Sequence, residues 1–216
     1  MKRVFGKVEA IFDMLYIVTA LILSFILLLT GSDDPARIIA GIMGSVLVIG
    51  DSFHLVPRIT VIMTGNEEKL RFALGRGKQI TSITMTVFYL LLWHIGLLVF
   101  NLENMDIWSY AVYFLAAVRI MLCLLPQNKW TDRYPPVIFG ITRNIPFFLL
   151  GFAVSILFFL QRSLESGFSF MWLAIVLSFT IYFPVVIWSN KDLRIGMLML
   201  PKTCAYIWML VMCTFL

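Results

Sequence analysis

Hydrophobic residues fall in seven long stretches that are separated by shorter polar connections. A helix needs about 20 apolar residues to cross a hydrocarbon core of about 30 Å, and each stretch meets that length. The pattern therefore predicts an all-α, polytopic integral membrane protein: one bundle of seven transmembrane helices, forming a single domain over residues 1–216. The predicted helices are 8–30, 37–58, 79–100, 107–126, 143–161, 168–189 and 195–216.

Composition supports lipid as the solvent for most of the chain. Of 216 residues, 61% are hydrophobic and only 13% are charged, against about 25% charged in soluble domains. The mean hydropathy is +0.93. A soluble fold could not hide so much apolar surface, so membrane lipids are the expected partners and no nucleic-acid partner is expected.

The basic residues predict an orientation. With the N-terminus inside, Arg37 and Arg162 are the only two of 17 Lys and Arg on the outer side. Cytoplasmic connections carry an excess of Lys and Arg, so we expect a cytoplasmic N-terminus, an external C-terminus and location in the cell inner (plasma) membrane. The other fifteen are Lys2, Arg3, Lys7, Arg58, Lys69, Arg71, Arg76, Lys78, Arg119, Lys129, Arg133, Arg143, Lys191, Arg194 and Lys202.

The connection 59–78 contains charged and apolar residues in alternation. Residues 66–74 are predicted to form a short amphipathic piece on the inner membrane surface, where basic side chains suit anionic headgroups. Residues 75–77, Gly-Arg-Gly, are predicted to form a turn.

A candidate site begins in the second helix. Asp51, His54 and Arg58 are spaced i, i+3 and i+7, which places them on one helix face. Polar groups at membrane depth are costly and usually face the bundle interior. The 1.5 Å rise per residue puts Arg119 and Lys202 at nearly the level of Asp51. The predicted ligand-binding layer is Asp13, Asp51, His54, Arg58, Arg119, Arg143 and Lys202, with Asn144 and Asn190 near its lower edge.

Three interpretations of this layer stay open. Asp51 could form a structural ion pair with Arg119 or Lys202, and Asp13 with another cation. The surplus of positive charge instead favours a pocket for a small anion or a lipid headgroup. A third interpretation is proton-coupled transport with Asp51 or Asp13 as the titrating carboxylate.

The layer has few of the side chains that catalysis or metal binding requires. Ser52 and His54 are two residues apart and face different ways on a helix, and His94 lies about 22 Å above the inner side. Zinc sites use three or four His, Cys or carboxylate ligands, whereas the layer has one His and two Asp. We therefore expect no metal and no cofactor, and we favour a protein that is not an enzyme.

A histidine low on the second helix, His54, together with the N-in and C-out arrangement, is similar to the progestin/adiponectin-receptor and alkaline-ceramidase-like superfamily. That resemblance implies an intramembrane lipid hydrolase, whose last helix carries a His-x-x-x-His zinc pair. Residues 201–206 here are Pro-Lys-Thr-Cys-Ala-Tyr. The favoured hypothesis is a transporter-like or ligand-sensing protein for a small anionic or lipidic ligand, with a hydrolase and a structural or assembly subunit as alternatives.

Overall fold

All seven apolar stretches form helices in the computed structural model, which describes residues 2–31, 33–102, 106–188 and 193–216. The described chain is all-helical, and its seven long helices are each long and apolar enough to span a membrane, as predicted. They are α1 (Lys2–Leu29), α2 (Pro35–Thr64), α3 (Glu67–Val99), α4 (Asp106–Leu124), α5 (Val137–Leu160), α6 (Met171–Trp188) and α7 (Met199–Cys213). Short 3₁₀ turns cover Pro126–Asn128, Ser166–Phe168 and Leu193–Leu198.

The outward surface of the bundle is apolar. On α1, Ile11, Leu15, Val18, Ile22 and Phe25 recur every three or four residues, and each is more than half exposed. Such a stripe would be unfavourable in water, because each large apolar side chain loses about 1.5–3 kcal/mol when it is left unburied. The stripe and the seven apolar helices together indicate a membrane-embedded protein.

The helices pack in chain order around the bundle. Each contacts the next along the chain, and α7 returns to contact α1, which closes the ring. The helices α2 and α3 share the most extensive contact, and α3 also reaches α5. This arrangement encloses one interior, in which α4 packs beside α3 and α5.

The predicted connection 59–78 is wrong. The helix α2 continues to Thr64 and ends at Gly65, whose φ of 75° is left-handed and whose N–H donates to the Val61 carbonyl. The helix α3 begins at Glu67 and is continuous through residues 75–77. The piece 66–74 is thus the beginning of α3 and its N-cap, and no turn forms at Gly-Arg-Gly.

The two glycines of that segment serve close packing. Gly77 lies against the backbone of Phe53 and His54, and a Cβ there would lie 2.8 Å from the His54 Cα. Pro57 lacks the N–H that would bond the Phe53 carbonyl within α2, so this carbonyl is free to face α3. Gly75 packs in the same way against the backbone of Trp130. Small residues allow such close helix contact in membranes.

The remaining helix boundaries differ from the predicted ones by a few residues. The largest differences are at α1, which begins at Lys2 and not at 8, and at α5, which begins at Val137 and not at 143, directly after the N-cap residue Pro136. Proline is tolerated at a helix beginning because its missing N–H would be unpaired there. Pro57 and Pro146 lie inside α2 and α5, at positions the prediction placed near helix ends.

Candidate functional site

Two adjoining cavities lie at the end of the bundle that carries the 125–136 connection and the 193–198 turn. The larger, here called the basic cavity, has a volume of about 270 Å³ and lies between α2, α3, α4, α5, α6 and α7. The smaller, here called the acidic cavity, has a volume of about 70 Å³ and lies between α1, α2, α3 and α7. His54, Arg58 and Lys202 line both cavities and form a shared wall.

The basic cavity is lined by cations without carboxylates. Its charged residues are Arg58, Lys78, Arg119, Arg143 and Lys202, and none of the described Asp or Glu residues lines it. A buried ionised group is costly unless it is paired or hydrogen-bonded. The neighbours that hold each cation therefore decide how much positive charge remains available in the cavity.

Arg119 of α4 is the most completely held of these cations. It is only 1% exposed. Its Nε donates to the Thr86 hydroxyl at 3.0 Å, and its Nη1 donates to the Asn144 Oδ1 at 2.9 Å and to the Arg143 carbonyl at 3.0 Å. Its Cζ lies 3.6 Å from the centroid of the Phe147 ring. Every one of these partners is electrically neutral, so the guanidinium is oriented without being neutralised.

Arg143 of α5 is held by the connection that precedes its helix. Its Nη1 donates to the Asn128 Oδ1 at 2.9 Å, and its Cζ lies 4.0 Å from the Trp130 ring centroid. Asn128 is itself fixed, because its Nδ2 donates to the carbonyls of Leu122 and Leu125 at the end of α4. The connection thus positions a guanidinium at the cavity with neutral groups alone.

Lys202 of α7 is buried against aromatic rings. It is 5% exposed, and its Nζ lies 3.8 Å from the Tyr182 ring centroid and 5.3 Å from that of Tyr206. A cation over an aromatic face is attracted by the ring quadrupole, which offsets part of its desolvation. Within the described ranges no carboxylate lies at ion-pair distance from Lys202.

Arg58 is the cation of the shared wall that has an anionic partner. Its Nε forms an ion pair with the Glu9 carboxylate of α1. Lys78, at the rim of the basic cavity, is exposed. Arg119, Arg143 and Lys202 therefore carry the uncompensated positive charge that faces the cavity.

The acidic cavity holds the two predicted aspartates. The Asp51 Oδ2 accepts a hydrogen bond from the Tyr16 hydroxyl at 2.7 Å. Asp13 is 3% exposed, and its Oδ2 has no hydrogen-bond partner among the described residues. The Nδ1 atom of His54 is also buried without such a partner. Two unsatisfied polar atoms therefore belong to residues that line one small cavity.

The structure brings the seven predicted layer residues together around the two cavities. Asp51, His54 and Arg58 share one face of α2, as the spacing predicted. The ion pairs considered between Asp51 and Arg119 or Lys202 do not form in the described part of the chain. Asp51 instead accepts a hydrogen bond from Tyr16, and Arg119 donates hydrogen bonds to residues of α5. Asn144 joins the site as a partner of Arg119, and Asn190 lies outside the described residues.

Sequence reasoning missed several contributors. Glu9 and Tyr16 are spaced i−4 and i+3 from Asp13, so they lie on the same face of the helix. This spacing could have been recognised in the sequence. Asn128 and Trp130 lie in an irregular connection, where no periodicity indicates which way a side chain points. Tyr182 is one of many aromatic residues on α6.

The residues considered for catalysis and metal binding lie apart. His94 stacks on Tyr113, with its Nε2 3.1 Å from the tyrosine hydroxyl, and it lines neither cavity. Among the described residues there is no group of three or more His, Cys, Asp or Glu side chains that could hold a metal ion. What the two cavities offer is guanidinium and ammonium groups beside a separate group of three carboxylates, Asp13, Asp51 and the Arg58-paired Glu9. No protein-family model, curated protein or solved structure matches this chain.

Proposed function

We propose that this protein binds a small oxyanion in the basic cavity, either free or as the phosphate headgroup of an anionic lipid, and acts as a transporter-like or ligand-sensing membrane protein. The observation that carries the proposal is the set of two buried cations, Arg119 and Lys202, and the half-buried Arg143, all held by neutral partners in a cavity that no described carboxylate lines. Cations paired with carboxylates of the protein would serve only to hold the helices together. Cations without such partners are available to bind an anion that enters the cavity.

The chemistry of the donors fits an oxyanion. Guanidinium groups present several N–H donors in a fixed plane and match the oxygens of phosphate-like groups. Arg119 uses its Nε and Nη1 for neutral acceptors, and Arg143 uses its Nη1 in this way. Their remaining N–H groups, and the Lys202 ammonium, are the donors left for an anion in the cavity.

The proposed orientation places this cavity on the cytoplasmic side. The basic cavity lies at the end of the bundle where most Lys and Arg are found, and that end is assigned to the cytoplasm by the positive-inside rule. The N-terminus would then be cytoplasmic, the C-terminus external, and the protein a multi-pass component of the inner membrane. One of the basic residues behind this assignment, Lys191, lies outside the described residues.

Cysteine labelling in intact cells will test the orientation. In a variant whose three cysteines are replaced, Glu165→Cys will react with a membrane-impermeant maleimide, because residue 165 is exposed at the end assigned to the outside. Asp132→Cys, exposed at the end with the basic cavity, will react only after permeabilisation. The opposite labelling pattern would show that the cavity opens away from the cytoplasm.

Binding of defined anions will test the site. Sulfate and inorganic phosphate are titrated calorimetrically into delipidated protein in an uncharged detergent. Nanodiscs with phosphatidic acid are compared with nanodiscs of phosphatidylcholine for thermal stabilisation. Arg143→Gln should weaken binding by about 10–100-fold, because a hydrogen bond to a charged group contributes about 1.5–3 kcal/mol.

The matched control is Arg162→Gln, which removes an exposed arginine that packs on Phe159 and lines neither cavity. Sulfate or phosphate binding identifies a free oxyanion, and stabilisation by phosphatidic acid alone identifies a lipid headgroup. If neither probe binds, or if Arg143→Gln binds as tightly as the control, the proposal is wrong and the buried charges serve only the packing of the bundle.

A further inference from the structure

We infer that binding of a free oxyanion in the basic cavity is accompanied by uptake of one proton on Asp13 in the acidic cavity. This inference rests on the proposed function and adds a coupled ion to it. It is carried by the geometry of the acidic cavity and by the wall that the two cavities share.

The first observation is the unsatisfied carboxylate oxygen. The Asp13 Oδ2 is buried and receives no hydrogen bond from any described residue, although the residue lines a cavity of about 70 Å³. A buried ionised carboxylate oxygen without a donor loses its hydration without compensation. A cavity of about 70 Å³ has room for water beside the Asp13 carboxylate, and that water can supply the proton.

The second observation is the shared wall. Lys202 and Arg58 line both cavities, so their charges act on Asp51 and Asp13 on one side and on an anion on the other. An anion in the basic cavity offsets the positive potential that Lys202 produces at Asp51 and that Arg58 produces at Asp13. Charges a few ångströms apart interact strongly in a medium of low dielectric constant. The negative charge of the aspartates is then less well compensated, and uptake of a proton on Asp13 removes part of that charge.

The groups that face Asp13 identify it as the acceptor. From α1 these are Glu9, which is paired with Arg58, and Tyr16, which donates to Asp51. From α7 they are Lys202 and Tyr206, and α3 contributes only the neutral Thr81 and Met85 to this cavity. From α2 they are Asp51, His54 and Arg58.

Asp51 and His54 are the competing acceptors. The Asp51 Oδ2 already accepts from Tyr16, which stabilises its ionised form. His54 lies in the wall with Arg58 and Lys202, where a further positive charge would be repelled. Asp13 combines burial, an oxygen without a donor and a place near the shared wall. The step itself transfers one proton from water to the Asp13 carboxylate, with no change of oxidation state.

Calorimetry with sulfate will test the coupling, since sulfate itself does not change its protonation near neutral pH. Titrations in buffers of different ionisation enthalpy should show uptake of about one proton per sulfate bound. By linkage, sulfate affinity should then rise by up to about tenfold for each unit that the pH falls. Asp13→Asn should bind sulfate without proton uptake and with affinity that no longer depends on pH in this way.

Glu165→Gln is the control, because it removes an exposed carboxylate at the opposite end of the bundle. An infrared difference spectrum of the unaltered protein should gain a protonated-carboxyl band on sulfate addition, which tests the step even if Asp13→Asn does not fold. Sulfate binding without proton uptake, or uptake that persists in Asp13→Asn, overturns the coupling and leaves the proposed function standing. Absence of sulfate binding at every pH overturns the coupling together with the free-anion form of the proposed function.

Discussion

Arg119→Met will abolish oxyanion binding and will also destabilise the bundle, whereas Lys202→Met will abolish binding with little effect on stability. Both changes remove a buried cation that lines the basic cavity. The two cations differ in the hydrogen bonds that they donate. Arg119 donates three hydrogen bonds to acceptors on α3 and α5, and Lys202 donates none to the described residues.

The expected magnitudes follow from those bonds. Hydrogen bonds between membrane helices contribute about 0.6 kcal/mol on average, and up to about 1.7 kcal/mol. Losing three of them, and leaving the Asn144 Oδ1 with only the 3.4 Å hydrogen bond from the Tyr182 hydroxyl, should cost about 2 kcal/mol or more. For Lys202→Met the relief of a buried charge opposes the lost attraction to Asp51 and to the tyrosine rings. Its stability should therefore change by less than about 1 kcal/mol.

Thermal unfolding in detergent, followed by sulfate titration of the same samples, measures both quantities. Equal destabilisation by the two variants would show that Lys202 is tied into the bundle as firmly as Arg119. Retention of sulfate affinity in either variant would show that the anion binds elsewhere.

Gly77→Ala is expected to destabilise the protein by about 3 kcal/mol, since it forces a methyl group into the contact between α2 and α3. The new Cβ would lie 2.7 Å from the Phe53 carbonyl carbon and 2.8 Å from the His54 Cα. These are backbone atoms, which cannot rotate away as a side chain can. Overpacking in a dense interior costs about 1–3 kcal/mol, and more when the backbone must move. The separation of α2 from α3 would also displace His54 from the shared wall.

The matched control is Gly140→Ala in α5, where the nearest atom to a new Cβ is an Arg143 Nη2 at 3.8 Å. Alanine at that position makes ordinary contacts and favours the helix by up to about 1 kcal/mol, so its stability should be unchanged or higher. A Gly77→Ala protein that unfolds at the same temperature as Gly140→Ala would contradict the close contact between α2 and α3.

The seven helices and the level of the site were predictable from the sequence because their causes are local. Apolar length and the 1.5 Å rise depend only on the order of residues within one segment. That is why Asp51, Arg119 and Lys202 could be placed at one level, and why Asp51, His54 and Arg58 could be placed on one face. Glu9 and Tyr16 were within reach of the same reasoning, through their spacing from Asp13.

Residues 75–77 show why local sequence preference alone does not decide the secondary structure. Gly-Arg-Gly at residues 75–77 is typical of a turn, because glycine is a poor helix former in isolation. Here the glycines lie against the backbones of Phe53 and Trp130, which come from elsewhere in the chain. Tertiary contact thus outweighs intrinsic preference, and α3 is continuous from Glu67 to Val99.

What the sequence determined by itself is a membrane bundle of seven helices with a layer of charged residues near one end. Only the tertiary structure decided how that layer divides: cations on neutral partners around one cavity, and aspartates in another, with Lys202 between them. The physical reason is that depth along a helix follows from residue number, whereas the neighbour across the bundle depends on how each helix is rotated and which helix it packs against. Asp51 meets Tyr16, and Arg119 meets Asn144, because α1 packs on α2 and α4 on α5.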